Sequence, residues 1–138
     1  MAVLDKRLTL YRYKMSLKNN ILIVEDEHIN RELLKIFLEP SYELTFAEDL
    51  NTAIQSVDAQ KFDLIITDIR LGNRLDGIEL LEYAHTKGSN VTTPIVAYTS
   101  SDTSINQKSY AEEGFDGFLS KPATKDDILI KVADWISK

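Results

Sequence analysis

Phe62-Asp63-Leu64-Ile65-Ile66-Thr67-Asp68 is a short apolar run that ends on an acid. Its apolar positions are consecutive, not spaced at three and four, and it is too short for a helix. It reads as a strand over Phe62–Thr67 covered on both faces, as strands of a parallel sheet are. The same grammar recurs upstream, where Ile21-Leu22-Ile23-Val24 leads directly into Glu25-Asp26-Glu27. Tyr42–Ala47, Pro94–Tyr98 and Phe115–Leu119 bring the number of such runs to five.

Between the runs lie stretches with helical spacing. Ile29, Leu33, Ile36 and Phe37 mark one face over His28–Leu38, which Pro40 helps to close. Leu50, Ala53, Ile54 and Val57 mark a second face, with Asp49 placed to cap it. Gly77–Lys87 turns Ile78, Leu81 and Ala84 inward, whereas Asp102–Glu113 is polar nearly all round and stops at Gly114. Ile128, Leu129, Val132, Trp135 and Ile136 give the last helix the clearest stripe. His28 and His85 sit among charged neighbours and read as solvated surface residues.

Strands alternating with helices imply an α/β fold, a doubly wound parallel sheet with helices on both faces. Right-handed crossovers leave few topologies, and the flavodoxin-like (βα)5 arrangement with strand order 2-1-3-4-5 is the commonest of this size. Residues 19–138 hold the whole pattern as one domain. Residues 1–18 are an N-terminal extension, either disordered or a short helix with Leu4, Leu8, Tyr11 and Met15 on one face.

The 138 residues carry a net charge of −6. Lys6, Arg7, Arg12 and Lys14 against Asp5 make residues 1–14 net +3, which leaves −9 for the rest. An acidic body argues against nonspecific nucleic-acid binding, which depends on neutralising phosphates with Lys and Arg. No apolar run approaches the roughly 20 residues that span a bilayer. The absence of cysteine excludes disulfides, thiolate metal sites and cysteine nucleophiles, and fits a cytoplasmic protein.

In a parallel sheet, groups just beyond the carboxyl ends of neighbouring strands converge on one edge, where such folds bind ligands. Here those groups are Glu25 and Asp26 after the first strand, Asp68 after the third, Thr99 after the fourth and Lys121 after the fifth. Taken singly, each has an ordinary explanation as a cap, loop or turn residue. Together they are specific. Three carboxylates in one small site need a cation, and oxygen ligands suit Mg²⁺, which keeps several waters and shares its shell with phosphate. An ammonium and a hydroxyl complete a site for a phosphoryl group.

At this point the sequence resembles the receiver domains of two-component response regulators. The resemblance runs from about Asn20 to Lys138 and rests on Ile-Leu-Ile-Val-Glu-Asp-Glu (21–27), Phe-Asp-Leu-Ile-Ile-Thr-Asp (62–68) and Asp-Gly-Ile-Glu-Leu (76–80). Pro-Ile-Val-Ala-Tyr-Thr-Ser (94–100) and Gly-Phe-Leu-Ser-Lys-Pro (117–122) complete it. It implies that Asp68 is the phosphoacceptor, with Thr99 and Lys121 on the phosphoryl group. Mg²⁺ is then held by Glu25, Asp26, Asp68 and the backbone carbonyl of Arg70, while Phe118 takes the aromatic switch position. A cis Lys121-Pro122 bond is also implied. Two features depart from the family's commonest pattern: Glu25 stands where Asp is also frequent, and the loop from Asp68 to Asp76-Gly77 lacks a frequent proline and is one residue longer.

The resemblance further implies a histidine kinase or histidine phosphotransfer protein as donor, and no enzymatic activity beyond the domain's own phosphorylation and autodephosphorylation. The output face is expected at 102–113, the fifth strand and the last helix, with Tyr98, Tyr110 and Phe118 nearby. That face would serve a partner or a homodimer, with no direct nucleic-acid or membrane contact. The domain is either stand-alone or excised from a larger regulator or hybrid kinase. A phosphatase of the haloacid-dehalogenase type wants a second Asp two residues after the nucleophile, where this chain has Arg70. A flavodoxin wants a Ser/Thr/Gly phosphate loop where Glu25-Asp26-Glu27 stands. A receiver fold used only to bind partners would not need every phosphorylation group, and all are present.

Overall fold

The computed structural model describes residues 5–72, 74–100 and 111–138, without the side chains of Met15 and Ser16. Its strands are β1 (Asn20–Val24), β2 (Glu43–Ala47), β3 (Leu64–Thr67), β4 (Ile95–Ser100) and β5 (Gly117–Lys121). Its named helices are α1 (Lys6–Ser16), α2 (His28–Leu38), α3 (Leu50–Ala59), α4 (Asp76–Thr86) and α5 (Lys125–Ser137). The strands form one parallel sheet in the order β2-β1-β3-β4-β5, the order read from the sequence. Leu4, Ser101, Tyr110 and most of the helix expected over Asp102–Glu113 lie outside the described residues; 111–113 are helical and run into Gly114 at φ +116°.

Side chains alternate across each strand and so build two cores. Leu22, Val24, Ile65, Ile95 and Ala97 meet Ala53 and Val57 of α3 and Leu80, Leu81 and Ala84 of α4. On the other face Ile21, Ile23, Leu64, Ile66, Val96 and Tyr98 meet Leu34 and Leu38 of α2 and Ile128 and Val132 of α5. Each such side chain contributes about 1.5–3 kcal/mol by leaving water. The described residues of α1 from Lys6 to Lys14 are all exposed, and the helix joins neither core.

Local signals fix several element starts. Asp49 accepts from the Thr52 N–H at 2.8 Å and caps α3 as expected. Thr124 does the same for α5 with the Asp127 N–H at 3.1 Å. At the amino end of the sheet, buried Asn90 donates to the carbonyls of Val57 and Gln60 and accepts from the Phe62 N–H. Thr93 Oγ1 joins this network through Phe62 O and Asn90 Oδ1.

Several sequence expectations need correction. The inward face of α2 is Leu34 and Leu38 with half-buried Phe37, while Ile29, Leu33 and Ile36 are 73%, 39% and 64% exposed. The segment is apolar at so many positions that spacing allows two faces. β5 starts at Gly117, two residues later than expected. Phe115 instead packs into the core beside Phe118, with ring centroids 6.0 Å apart, and Gly117 lies hard against the Trp135 indole. β4 runs on to Ser100 and β5 to Lys121, so Thr99 and Lys121 lie within strands rather than beyond them. His28 is exposed, but His85 is half-buried, with Nε2 3.0 Å from the Thr93 carbonyl, to which it must donate.

Candidate functional site

The carboxyl ends of the strands bring Glu25, Asp68 and Lys121 into direct contact. Both acids are held by the sheet itself. The Glu25 N–H donates to Ala47 O and the Asp68 N–H to Val24 O, each at 3.0 Å, one rung past the strand. Glu25 is 1% exposed and Asp68 8%. Lys121 Nζ donates to Asp68 Oδ2 at 2.7 Å and stands 2.5 Å from Glu25 Oε2. Toward Glu25 this is a charge contact without hydrogen-bond alignment, and Glu25 Oε2 has no hydrogen-bond partner among the described residues.

Burial pushes the Glu25 carboxyl above its ordinary 4.5, outweighing the neighbouring ammonium. Burial alone would lower Lys121, but the carboxylates of Asp68 and Glu25 beside it hold it above 10.5. The ammonium also sits 5.3 Å from the ring centroid of Tyr98. Tyr98 is buried. Lys121 is thus aimed by an aromatic platform that only the strand register reveals. The Lys121-Pro122 bond is cis.

Around this contact stand the other expected residues. Asp26 is exposed at the rim, where Oδ2 accepts from the Gly72 N–H at 2.9 Å and ties the segment after β3 to the end of β1. The Arg70 N–H donates to Asp68 Oδ1 at 3.2 Å, while its side chain points to solvent. Thr99 is buried beside β5, opposite Ser120. Phe118 is half-buried against the core of α3 and α4. Gly77, known from the sequence only as part of a motif, is dictated by closeness: a Cβ there would lie 2.1 Å from the Asp68 carbonyl oxygen.

Glu25, Asp26 and Glu27 each offer a carboxylate oxygen within 4.8 Å of the others. Glu27 lies outside the expected ligand set, although three consecutive acids are plain in the sequence. A buried carboxylate shared with a single ammonium, beside rim acids open to water, offers hard oxygen ligands to a cation that keeps part of its hydration, which is the behaviour of Mg²⁺.

The fold and these strand-end groups define a phosphoacceptor module of two-component signalling. The model of the response regulator receiver domain matches residues 21–133, and the chain belongs to that family. The chain is 30% identical over 122 residues to the CAI-1 autoinducer sensor kinase/phosphatase CqsS of Vibrio cholerae, which covers 86% of this chain and 18% of that protein. It is also 30% identical over 116 residues to the transcriptional regulatory protein ResD of Bacillus subtilis, covering 83% of this chain and 47% of that one. The chain therefore spans between about a fifth and a half of these relatives. The receiver domain of the sensor histidine kinase PA1611 of Pseudomonas aeruginosa, solved with a magnesium ion in its active-site cleft, superposes with a TM-score of 0.78 at 24% identity. That likeness covers 88% of this chain and 99% of the other, and establishes the fold. No helix among the described residues is long and apolar enough to cross a membrane.

Proposed function

We propose that Asp68 takes a phosphoryl group from a phosphohistidine of a kinase or phosphotransfer protein. A carboxylate oxygen of Asp68 forms the new O–P bond as the N–P bond of the donor breaks, and the histidine nitrogen keeps that electron pair. The observation that carries this reading is the Lys121 ammonium held 2.7 Å from Asp68 at the mouth of the sheet. There it can offset charge on the phosphoryl oxygens. Glu25, Asp26, Asp68 and the Arg70 carbonyl would hold Mg²⁺, with Glu27 at the rim; the ion supplies positive charge to the entering phosphoryl oxygens. Asp68→Asn should abolish labelling by acetyl phosphate. Undiminished acid-labile label on that variant would sink the assignment.

The domain acts on itself and turns over no separate substrate. Its phosphohistidine donors and Mg²⁺ dependence belong to the cytoplasm. The donor docks on α2, whose exposed Ile29, Leu33 and Ile36 follow directly from the acidic rim. Output runs through Thr99, whose hydroxyl gains a charge-assisted bond to the phosphoryl group, and through Phe118, which turns further inward as Thr99 moves. The face at 102–113, β5 and α5 then meets a partner or a second copy, with no direct contact to nucleic acid or membrane. Beryllofluoride should shift amide NMR signals near Phe118 in the wild type and spare them in Thr99→Ala. Equal shifts in both would refute this route.

A further inference from the structure

We propose that Arg31 is a positioning residue for the acidic pair, fixing the plane of the peptide bond that joins Glu25 to Asp26. The inference rests on the metal-site reading above. Arg31 Nη1 donates to the Glu25 carbonyl at 2.9 Å, and that carbonyl belongs to the Glu25-Asp26 peptide itself. Nη2 pairs with Glu48 Oε1 at 3.3 Å. The Arg31 side chain is only 15% exposed, so the bond to the carbonyl is sheltered from competing water.

A peptide unit is planar and rigid. Holding its oxygen restrains the torsions on either side, which are those that set the directions of the Glu25 and Asp26 side chains. From the other side Glu25 is pinned by its N–H on Ala47 O at 3.0 Å. The pair is thus clamped between β2 and the first turns of α2. One strap also selects the face that α2 turns inward, because Arg31 can reach back to Glu25 only with Leu34 and Leu38 toward the sheet. The task suits Arg over Lys: a planar fork serves two acceptors at once and stays charged at every working pH. Its positive charge lies behind the carboxylates, bonded to the backbone and to Glu48, and leaves their oxygens to the ligand side.

The test is a Mg²⁺ titration of the unphosphorylated full chain, read by amide NMR shifts, on the wild type, Arg31→Met, Arg31→Lys and Glu48→Gln. Removing a residue that orients a metal ligand typically weakens metal binding about 10–100-fold. We expect about tenfold for Arg31→Met, a smaller loss for Arg31→Lys, and the least for Glu48→Gln, which keeps the bond to the Glu25 carbonyl. A wild type that takes up no Mg²⁺ overturns the metal reading and this inference with it. Wild-type binding matched by a folded Arg31→Met overturns the inference alone, and a lowered melting temperature with unchanged affinity would mark a purely structural strut. Should Arg31→Met fail to fold, equal affinities in Arg31→Lys and the wild type overturn the inference in its place.

Discussion

Adding a single methyl group at Gly77 tests whether the start of α4 positions Asp68. The new Cβ would lie 2.1 Å from the Asp68 carbonyl oxygen, 2.8 Å from Ile69 Cα and 3.0 Å from the Asp68 carbonyl carbon. These are backbone atoms that no rotamer change can clear. Ordinary contact begins near 3.4 Å, so the helix start and the Asp68 peptide must separate by about 1.3 Å. The Gly77 N–H bond to Ile69 O, now 3.0 Å, would stretch with them. Overpacking of this kind costs about 1–3 kcal/mol, against which alanine's helix preference returns up to about 1 kcal/mol. With that return in full the net is about 0–2 kcal/mol, or up to roughly 8 °C in melting temperature for a domain of this size. Chemistry should suffer more than stability, because a displacement of about 1 Å at a reacting group can cost on the order of a hundredfold in rate. The assay is thermal unfolding beside the rate of phosphorylation by acetyl phosphate, with Gly88→Ala as control. Gly88 has φ +99° and no atom near its Cβ position, so alanine there strains the backbone without touching the site. A Gly77→Ala protein that phosphorylates as fast as Gly88→Ala at equal stability would refute the reasoning.

The corrected face of α2 predicts that Leu34→Ala costs about 2–5 kcal/mol, while Leu33→Ala next to it stays within about 1 kcal/mol. Denaturant unfolding of the two decides it, and equal losses would restore the sequence reading. The exposed stripe predicts that Ile36→Glu slows transfer from a phosphohistidine protein and leaves acetyl phosphate labelling intact; loss of both rates together would remove docking as the cause. The Asp49 carboxyl is held below its ordinary 3.8 by the Thr52 N–H it accepts from. Its stabilising contribution is therefore full above 3.8 and lost as pH falls through the lowered value. Asp49→Asn should remove that share of the acid dependence, and melting curves of the two proteins that stay parallel down to pH 2 would contradict it.

The strands, the Asp49 cap and the residues of the central contact are legible in the sequence because each has a one-dimensional signature. Strand order follows from the few topologies open to alternating strands and helices. Consecutive apolar residues mark buried parallel strands, and the acids end them. What the sequence does not carry is whatever depends on which of two faces wins. His28–Leu38 is apolar at Ile29, Leu33, Leu34, Ile36, Phe37 and Leu38, so periodicity admits either face, and packing against the sheet buries Leu34 and Leu38. The start of β5 is hidden for a related reason. Phe115 is as apolar as any strand residue, yet it serves as a core plug ahead of the strand, a role set by α4 and Phe118. His85 and the Asn90–Thr93 network carry no sequence signature, since burial of polar groups depends on carbonyls brought from other segments.

The electrostatics of the central contact give the proposed chemistry its order of events. One ammonium faces two buried or nearly buried carboxylates, with Asp26 and Glu27 at the rim, so formal negative charge exceeds positive before any phosphate arrives. A donor phosphoryl group brings further negative charge, and repulsion in a cleft of low dielectric is stronger than in water. On the proposed reading a divalent cation would enter first or together with the donor. Lys121 is shared between Asp68 and Glu25, and only the Asp68 contact is aligned as a hydrogen bond. Were Glu25 to hold a cation, the charge holding Lys121 to it would weaken, and the ammonium would be left to Asp68 and to whatever Asp68 carries. Breaking the Glu25–Lys121 pair without a replacement would leave a buried charge uncompensated, so a cation at Glu25 would have to take over the role the ammonium plays now.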